Sequence, residues 1–170
     1  KKLALAILLA AALPLCAAKS VPHKKPDIEK QISALLSKMS LEEKLGQLQQ
    51  LDGEANGDAR PLHFELARKG LLGSTLNVRG AKRVNELQKA ALESRLKIPI
   101  LFAFDVIHGY RTIFPIPLGE SASFDPEGAE LNAAIAAGEA RAAGLRWTFA
   151  PMVDIARDPR WGRMAEGSGE

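Results

Sequence analysis

Two residues, Asp105 and His108, have types and a spacing that suggest chemistry, because they follow an apolar run at 98–104. A carboxylate at the end of a buried apolar strand costs free energy unless a donor satisfies it. Two interpretations of Asp105 stay open at this point. Its oxygens can accept from adjacent hydroxyls of a polyhydroxylated ligand such as a sugar, or the carboxylate can form a structural salt bridge with Arg111 or Arg163.

A second group of polar residues lies in the stretch RDPRWGRMAEGSGE at 157–170. Arg160 and Arg163 carry planar guanidinium groups, whose forked donors suit carboxylates, phosphates and sugar hydroxyls. Trp161 can stack on the face of a sugar or anchor the loop as a buried side chain. These three residues are therefore candidates for binding a ligand or shaping its site.

The sequence does not favour a metal site, a phosphate-binding loop or a serine nucleophile. Asp105 and His108 could supply two ligands of a metal ion, but no third ligand follows at a typical spacing, so we expect no metal. The Gly-x-x-x-x-Gly-Lys-Ser/Thr pattern of phosphate-binding loops is absent, and so is the Gly-x-Ser-x-Gly pattern around a serine nucleophile. We also expect no cofactor.

Alternating strands and helices position the candidate residues. The apolar run at 98–104 lacks alternation, which is typical of a strand buried on both faces in a parallel sheet. Similar patterns predict two further strands, one at 71–78 and one that begins in the stretch 147–159 and ends near Asp154. They also predict two connecting helices, at 81–95 and 126–144, the second with Asp125 as its N-cap. This β-α-β-α-β order favours a parallel sheet of the α/β class.

The predicted strands end near polar residues, Asn77, Asp105 and Asp154. In a parallel β/α barrel the carboxyl ends of all strands open on one face, where active sites lie. The three side chains are therefore expected at one rim, although Asn77 can instead cap a turn and Asp154 can pair with a nearby arginine. An eight-stranded barrel takes about 250 residues, so this chain is long enough only for its opening units.

Two helices precede the first predicted strand. Asp27 is the predicted N-cap of the first, and Ser40 with Glu43 predicts a capping box at the start of the second. We predict that the apolar side chains along the second helix face the core: Leu41, Leu45, Leu48 and Leu51.

Three further segments connect these elements. Composition predicts loops at 52–61 and 110–124, the second of which contains two prolines. The stretch HFELARKG predicts a short helix that ends at Gly70, a typical C-cap. We interpret His63, at the start of this helix, as a surface histidine.

The first 26 residues are expected to serve export rather than the fold. Residues 1–18 combine a basic start with an apolar stretch and small residues around Cys16, which predicts a secretory signal peptide. An alternative is a lipoprotein signal, with Cys16 as the acylated residue. Residues 19–26 are basic and interrupted by proline and predict a flexible lead-in, so we place the folded domain at 27–170.

Composition narrows the classes of partner. The chain has 170 residues with a net charge of +3, and its basic residues are scattered rather than gathered in one stripe. We therefore expect no nucleic-acid partner. Cys16 is the only cysteine, so its loss with a signal peptide would leave no disulfide and no thiolate metal site. We expect no membrane contact beyond export directed by the signal.

Four stretches occur in a distinctive order along the chain. They are MSLEEKLGQL near residue 40, FDVIHGYRTIFPIPLG, SASFDPE, and FAPMVDIARDPRWGR followed by EGSGE. Together they resemble glycoside hydrolase family 3, in the branch of bacterial periplasmic β-glucosidases, over residues 27–170. The resemblance implies a TIM-like (β/α)8 barrel, of which this chain holds the opening units. It also implies retaining hydrolysis of terminal non-reducing β-D-glucosyl residues without a metal.

The resemblance implies roles for individual residues as well. Asp105 matches the family aspartate that holds hydroxyls of the sugar in the −1 subsite, and Arg163 matches an arginine that contacts the same sugar. His108 matches a motif histidine to which we assign a loop-shaping role, and Arg160 and Trp161 are candidate site-shaping residues. The family's aspartate nucleophile, Lys-His pair and acid/base glutamate would follow this sequence, so no catalytic residue is assigned in it.

The expected substrate partner is a β-glucoside or an oligosaccharide. Two alternatives stay open: a non-catalytic carbohydrate-binding module that uses Asp105 and Arg163 alone, and a β-N-acetylhexosaminidase of the same family. The sequence departs from the family pattern at two positions. Glu120 stands where an apolar residue is usual, and Ser168 stands where phenylalanine is usual.

Overall fold

The computed structural model describes residues 27–169, in which helices alternate with short strands. The predicted signal peptide at 1–18 and the lead-in at 19–26 lie outside the described residues. None of the described helices is both long and apolar enough to cross a bilayer. In chain order the elements are α1 (Ile28–Leu36), α2 (Leu41–Gln47), β1 (Gln50–Asp52), α3 (Pro61–Lys69), β2 (Ser74–Leu76), α4 (Ala81–Leu92), β3 (Leu101–Phe104), α5 (Pro117–Ser121), α6 (Pro126–Ala142) and β4 (Trp147–Thr148), followed by 3-10 turns at Pro159–Trp161 and Met164–Glu166.

The four strands form one parallel sheet in the order β1-β2-β3-β4. Thr75 in β2 lies between Leu51 in β1 and Phe102 in β3, so these side chains share one face of the sheet. Each strand is joined to the next by a segment that contains at least one helix, as parallel pairing requires. The predicted parallel α/β architecture is therefore confirmed.

One apolar core joins the sheet to α3, α4 and α6. Its most buried large side chains include Leu72, Leu87 and Phe102, each at most 2 % exposed. Burying a side chain of this size contributes roughly 1.5–3 kcal/mol. Val78 and Val106, which follow the ends of β2 and β3, belong to this core, so the core also anchors the segments that leave these strands.

The leucine side chains along α2 do not face this core, so the prediction that they are buried is wrong. At Gly46 the helix approaches the chain so closely that a Cβ would lie 2.5 Å from the Cα of Leu71. This contact turns the opposite, leucine-bearing face of α2 away from the sheet. The exposed fractions are 71 % for Leu41, 58 % for Leu45 and 83 % for Leu48, and Leu51 in β1 is half-buried.

The predicted helix caps are confirmed, although α4 and α6 end two or three residues before their predicted ends. The hydroxyl of Ser40 accepts from the backbone N–H of Glu43 at 3.2 Å, and the Glu43 carboxylate accepts from the backbone N–H of Ser40 at 2.9 Å. Asp27 and Asp125 each accept from a backbone N–H in the first turn of α1 and α6. Gly70 ends α3 with φ 73°, in the left-handed region that favours glycine.

The strands are shorter than predicted. β3 occupies only the last four residues of 98–104, and Leu101 is half exposed, so burial on both faces is wrong for this residue. β4 contains only Trp147–Thr148 and does not extend to the predicted end near Asp154. Pro151, which has no N–H to donate to a neighbouring strand, follows soon after.

Two segments predicted as loops border or contain regular structure. The segment 110–124 contains α5, which begins at Pro117, where the fixed φ of proline suits the first turn of a helix. β1 ends at Asp52, the first residue of the predicted loop at 52–61. This three-residue strand is too short to show a pattern in the sequence, and its pairing with β2 defines it.

His63 is buried, so its interpretation as a surface histidine is wrong. The residue is 1 % exposed, on the face of α3 that packs against the core. Its Nδ1 accepts from the backbone N–H of Arg60 at 2.9 Å and so satisfies a donor at the helix start. Its Nε2 is buried without a hydrogen-bond partner in the described part of the chain.

Candidate functional site

The carboxyl ends of the first three strands bring Asp52, Asn77 and Asp105 to one rim of the sheet. The Asn77 side-chain amide donates to the Asp52 carboxylate at 2.7 Å, and the Asn77 backbone N–H donates to the carbonyl of Ala103 at 3.1 Å. The predicted meeting of polar strand ends is thus observed for Asn77 and Asp105. Asp52 was missed because β1 was not predicted, and Asp154 lies in a loop instead of at a strand end.

A cavity of about 500 Å³ beside this rim contains both Asp105 and Arg163. Three isoleucines supply apolar wall, and His108 and Glu166 also line it. Asp105 follows the end of β3, whereas Arg163 precedes and Glu166 ends the 3-10 turn at Met164–Glu166. The fold therefore brings together the two residues to which a ligand-binding role was assigned.

The carboxylate of Asp105 is exposed and forms no hydrogen bond or ion pair within residues 27–169. The alternative of a structural salt bridge to Arg111 or Arg163 is therefore not realised in the described structure. Asp105 lines the cavity, and its carboxylate, which has no partner among the described residues, has its acceptor capacity open to a ligand.

The guanidinium of Arg163 is held by Glu166. Its Nε donates to Oε1 of Glu166 at 2.8 Å, and a terminal nitrogen donates to Oε2 at 2.6 Å. These hydrogen bonds, the charge of Glu166 and, more weakly, the charges of Asp154 and Asp105 raise the pKa of Arg163. Arg163 is therefore a permanent cation with two of its five N–H donors engaged in this contact.

His108 fastens the loop that forms one side of the cavity. Its Nδ1 lies 3.0 Å from the carbonyl oxygen of Phe114, and the backbone N–H of Phe114 donates to the carbonyl of His108 at 2.8 Å. Because a carbonyl only accepts, the imidazole donates from Nδ1. Gly109 and Ile113 are bridged inside the same loop, so residues 108–114 form a small hairpin. These contacts agree with the loop-shaping role expected of His108, which stays a prediction.

Arg160 and Trp161 lie outside the residues that line this cavity. Arg160 is bonded through its Nε to the carboxylate of Asp158 at 2.9 Å, and its side chain is 90 % exposed. Trp161 is partly exposed at the end of a 3-10 turn. A site-shaping role for the two residues stays a prediction.

Arg79 is a rim residue that the sequence did not single out. Its guanidinium lies 5.1 Å from the centre of the Phe104 ring and donates to the carbonyls of Asn77 and Ala55 at 3.1 and 2.8 Å. Tyr110 packs edge-on against Phe104 with ring centres 5.8 Å apart. The cation and the two rings thus connect the ends of β2 and β3 to the hairpin.

A second cavity of about 870 Å³ lies along the alanine-rich face of α6. Both departures from the family pattern, Glu120 and Ser168, line it. The Glu120 carboxylate accepts from the side-chain amide of Asn132 at 2.7 Å, and the Ser168 carbonyl accepts from the hydroxyl of Ser121 at 2.9 Å. Within residues 27–169, no three His, Cys, Asp or Glu side chains gather in an arrangement that could hold a metal ion.

Comparison with known sequences identifies relatives along most of the chain. A periplasmic β-glucosidase of Salmonella typhimurium is 41% identical over 140 residues, which cover 82% of this chain and 18% of the relative. β-Glucosidase C of Emericella nidulans is 31% identical over 170 residues, which cover 84% of this chain and 27% of the relative. The chain thus spans about a fifth to a quarter of the length of these curated relatives.

Solved structures show the same fold. A β-glucosidase from Listeria innocua in complex with isofagomine superposes with a TM-score of 0.71 at 40% identity, over 84% of this chain and 20% of that chain. The likeness confirms the expected opening units of a TIM-like barrel. Residues 40–170 match the glycosyl hydrolase family 3 N-terminal domain. The chain therefore belongs to glycosyl hydrolase family 3.

Proposed function

We propose that this chain is the N-terminal part of a longer, exported β-glucosidase that removes terminal non-reducing β-D-glucosyl residues with retention. In this proposal Asp105 and Arg163 hold the glucose unit in the −1 subsite. Residues 1–18 direct export to the periplasm or the exterior, and 27–170 form the N-terminal part of the barrel domain. The partner is a β-glucoside or an oligosaccharide.

The observation that carries the proposal is the shared cavity of Asp105 and Arg163 at the strand ends. The carboxylate has no partner within residues 27–169, so it can accept from two neighbouring sugar hydroxyls. The guanidinium supplies donors that point from a fixed plane. An acceptor and a donor group in one cavity suit a ring that carries several hydroxyls.

The part played by this chain is binding and orientation. Retaining hydrolysis needs two carboxyl groups about 5–5.5 Å apart, one as nucleophile and one as acid/base. The family resemblance implies that both follow this sequence. Asp105 and Arg163 would contribute by holding the sugar close to the geometry of attack, which lowers the barrier for groups supplied by the rest of the protein.

The relatives support the substrate and the location. The Salmonella relative is named a periplasmic β-glucosidase, and the Listeria β-glucosidase has been solved with isofagomine and with glucose. The signal-like residues 1–18 agree with an exported protein.

The test is the hydrolysis of an aryl β-glucoside by the longer protein that carries this segment. We expect turnover with the β-anomer of glucose as first product, detected by NMR. Asp105→Asn should lower kcat/KM by about 10²–10³-fold, because charged hydrogen bonds to the sugar are lost. Asp27→Asn is the matched control, since asparagine also caps α1, and it should leave kcat/KM within about twofold.

Other outcomes would redirect the proposal. Cleavage of an aryl N-acetyl-β-glucosaminide but not of the glucoside would support the hexosaminidase alternative. Glucose binding without hydrolysis of either substrate would support a binding module. Wild-type kcat/KM in Asp105→Asn would remove Asp105 from the subsite.

A further inference from the structure

The carboxylate of Glu139, on α6, binds the tip of the 108–114 hairpin through three hydrogen bonds. Its Oε2 accepts from the backbone N–H groups of Arg111 and Thr112, both at 2.8 Å. Its Oε1 accepts from the Thr112 hydroxyl at 2.7 Å. One side chain thus satisfies three donors at the tip of a loop that lies almost 30 residues away in the sequence.

The pKa of Glu139 agrees with these three hydrogen bonds, which we call the Glu139 clamp. The hydroxyl and the backbone N–H of Thr112, followed by the backbone N–H and the charge of Arg111, lower the pKa of the Glu139 carboxyl. The group is therefore ionised at neutral pH, when it acts as an acceptor only. Ionised acceptors form hydrogen bonds about twice as strong as neutral ones.

The clamped hairpin is a wall of the proposed sugar site. Gly109 and Ile113, which are bridged to each other, line the cavity that contains Asp105 and Arg163. The base of the hairpin is tied to itself by the contacts between its first and last residues. Its tip is tied to α6 by Glu139, which does not line the cavity.

We propose that Glu139 is a positioning residue for the glycone site, because it fixes the hairpin wall that faces Asp105. The inference rests on the proposed glycosidase function. Glu139 does not contact the sugar in this proposal. It acts through its hydrogen bonds to Arg111 and Thr112, which hold the hairpin in the position that sets the width of the cavity. A misplacement of about 1 Å in the groups that position a substrate can cost about 10²-fold in kcat/KM. Because the hairpin wall holds the sugar in this proposal and supplies no reacting group, we expect the loss in KM.

Two substitutions separate the clamp from general stability. Glu139→Ala removes all three acceptor contacts and should raise KM for the aryl β-glucoside by about tenfold or more. Glu139→Gln should restore KM to within about threefold, because the carboxamide oxygen accepts both backbone N–H groups and the Thr112 hydroxyl can rotate to accept from the amide. KM does not depend on the fraction of folded enzyme, so partial unfolding would not imitate the effect.

Glu130→Ala is the matched control on the same helix. Glu130 is exposed and has no hydrogen bond or ion pair in the described part of the chain, so its removal should leave KM unchanged. The inference is overturned if Glu139→Ala keeps the wild-type KM, or if Glu139→Gln raises KM as much as alanine does.

A binding measurement distinguishes this inference from the proposed function. If the wild-type longer protein hydrolyses no β-glucoside, the proposed function fails, and glucose is titrated against the wild type and Glu139→Ala by NMR. Weaker binding by the variant would still support the positioning role, whereas equal binding would refute it. Absence of glucose binding by the wild type would refute both.

Discussion

The guanidinium of Arg163 is held in the wall of the Asp105 cavity by two bonds to the carboxylate of Glu166, 2.8 and 2.6 Å long. Both side chains are partly exposed, and exposed ion pairs add little to stability. The contact is therefore more important for the orientation of Arg163 than for folding. A planar, two-bond contact leaves the guanidinium one preferred direction for its remaining donors.

Loss of this contact should weaken substrate binding without unfolding the protein. We expect Glu166→Gln to raise KM for an aryl β-glucoside by about 3–10-fold and to change Tm by less than about 1 °C, because an exposed pair is lost and Arg163 becomes free to rotate. Glu93→Gln is the control, since it removes a similar exposed pair with Arg68 that lies outside the cavity. Equal effects of the two substitutions on KM would contradict the orienting role of Glu166.

Substitution by alanine should be harmful at Gly109 and stabilising at Gly138. Gly109 has φ 120°, and a Cβ there would lie 2.0 Å from the carbonyl oxygen of Thr112, so Gly109→Ala should distort the hairpin and raise KM. Gly138, inside α6, has no atom within 4 Å of an added Cβ, so Gly138→Ala should stabilise the protein by about 0.5–1 kcal/mol. Urea unfolding and steady-state kinetics on both variants test the pair. An unaffected KM in Gly109→Ala would show that the hairpin tolerates displacement.

The lowered pKa of Glu43, a residue of the α2 capping box, should make the stability of the protein depend on pH. Hydrogen bonds from Arg95 and then from the backbone N–H of Ser40 lower the pKa of Glu43, which is nearly buried. A carboxyl whose pKa is lowered in the folded state stabilises it above the unfolded pKa of about 4.3 and loses that effect as pH falls through the folded pKa. The difference in Tm between the wild type and Glu43→Gln should therefore be large at pH 7 and shrink below about pH 4.

Glu65→Gln provides the comparison for this pH dependence. The Glu65 pKa is also lowered, by a hydrogen bond from Lys69, but both side chains are exposed on α3. We expect Glu65→Gln to change Tm by less than about 1 °C at any pH. Thermal unfolding between pH 3 and 7 measures both variants, and a Glu43→Gln effect that does not change with pH would refute the prediction.

The burial of His63 predicts a marked loss of stability on truncation. His63→Ala would leave a cavity beneath α3 and an unsatisfied N–H at Arg60, at a cost of about 2–4 kcal/mol in the free energy of unfolding. The neighbouring Leu62 is half exposed, so Leu62→Ala should cost about 0.5 kcal/mol or less. Urea unfolding compares the two. A His63→Ala variant as stable as Leu62→Ala would contradict the burial.

The sequence alone determined the features whose partners are close along the chain. The capping box of Ser40 and Glu43, the caps at Asp27 and Asp125 and the C-cap at Gly70 each depend on residues within about one helical turn. The apolar run before Asp105 located β3, and the ordered motifs identified the family. Local hydrogen bonds and the period of apolar residues are encoded in short stretches, so they can be predicted from the sequence without knowledge of the fold.

Only the tertiary structure decided which distant residues meet. Strand pairing created β1, and with it the contact between Asp52 and Asn77. The close approach at Gly46 set which face of α2 is exposed. The contacts of Glu139 with the hairpin depend on how α6 and the loop pack in three dimensions. The shared cavity of Asp105 and Arg163, which the family resemblance implied, also depends on how the end of β3 packs against the 3-10 turns. No local pattern carries that information, because each of these contacts joins groups that are neighbours only after the chain has folded.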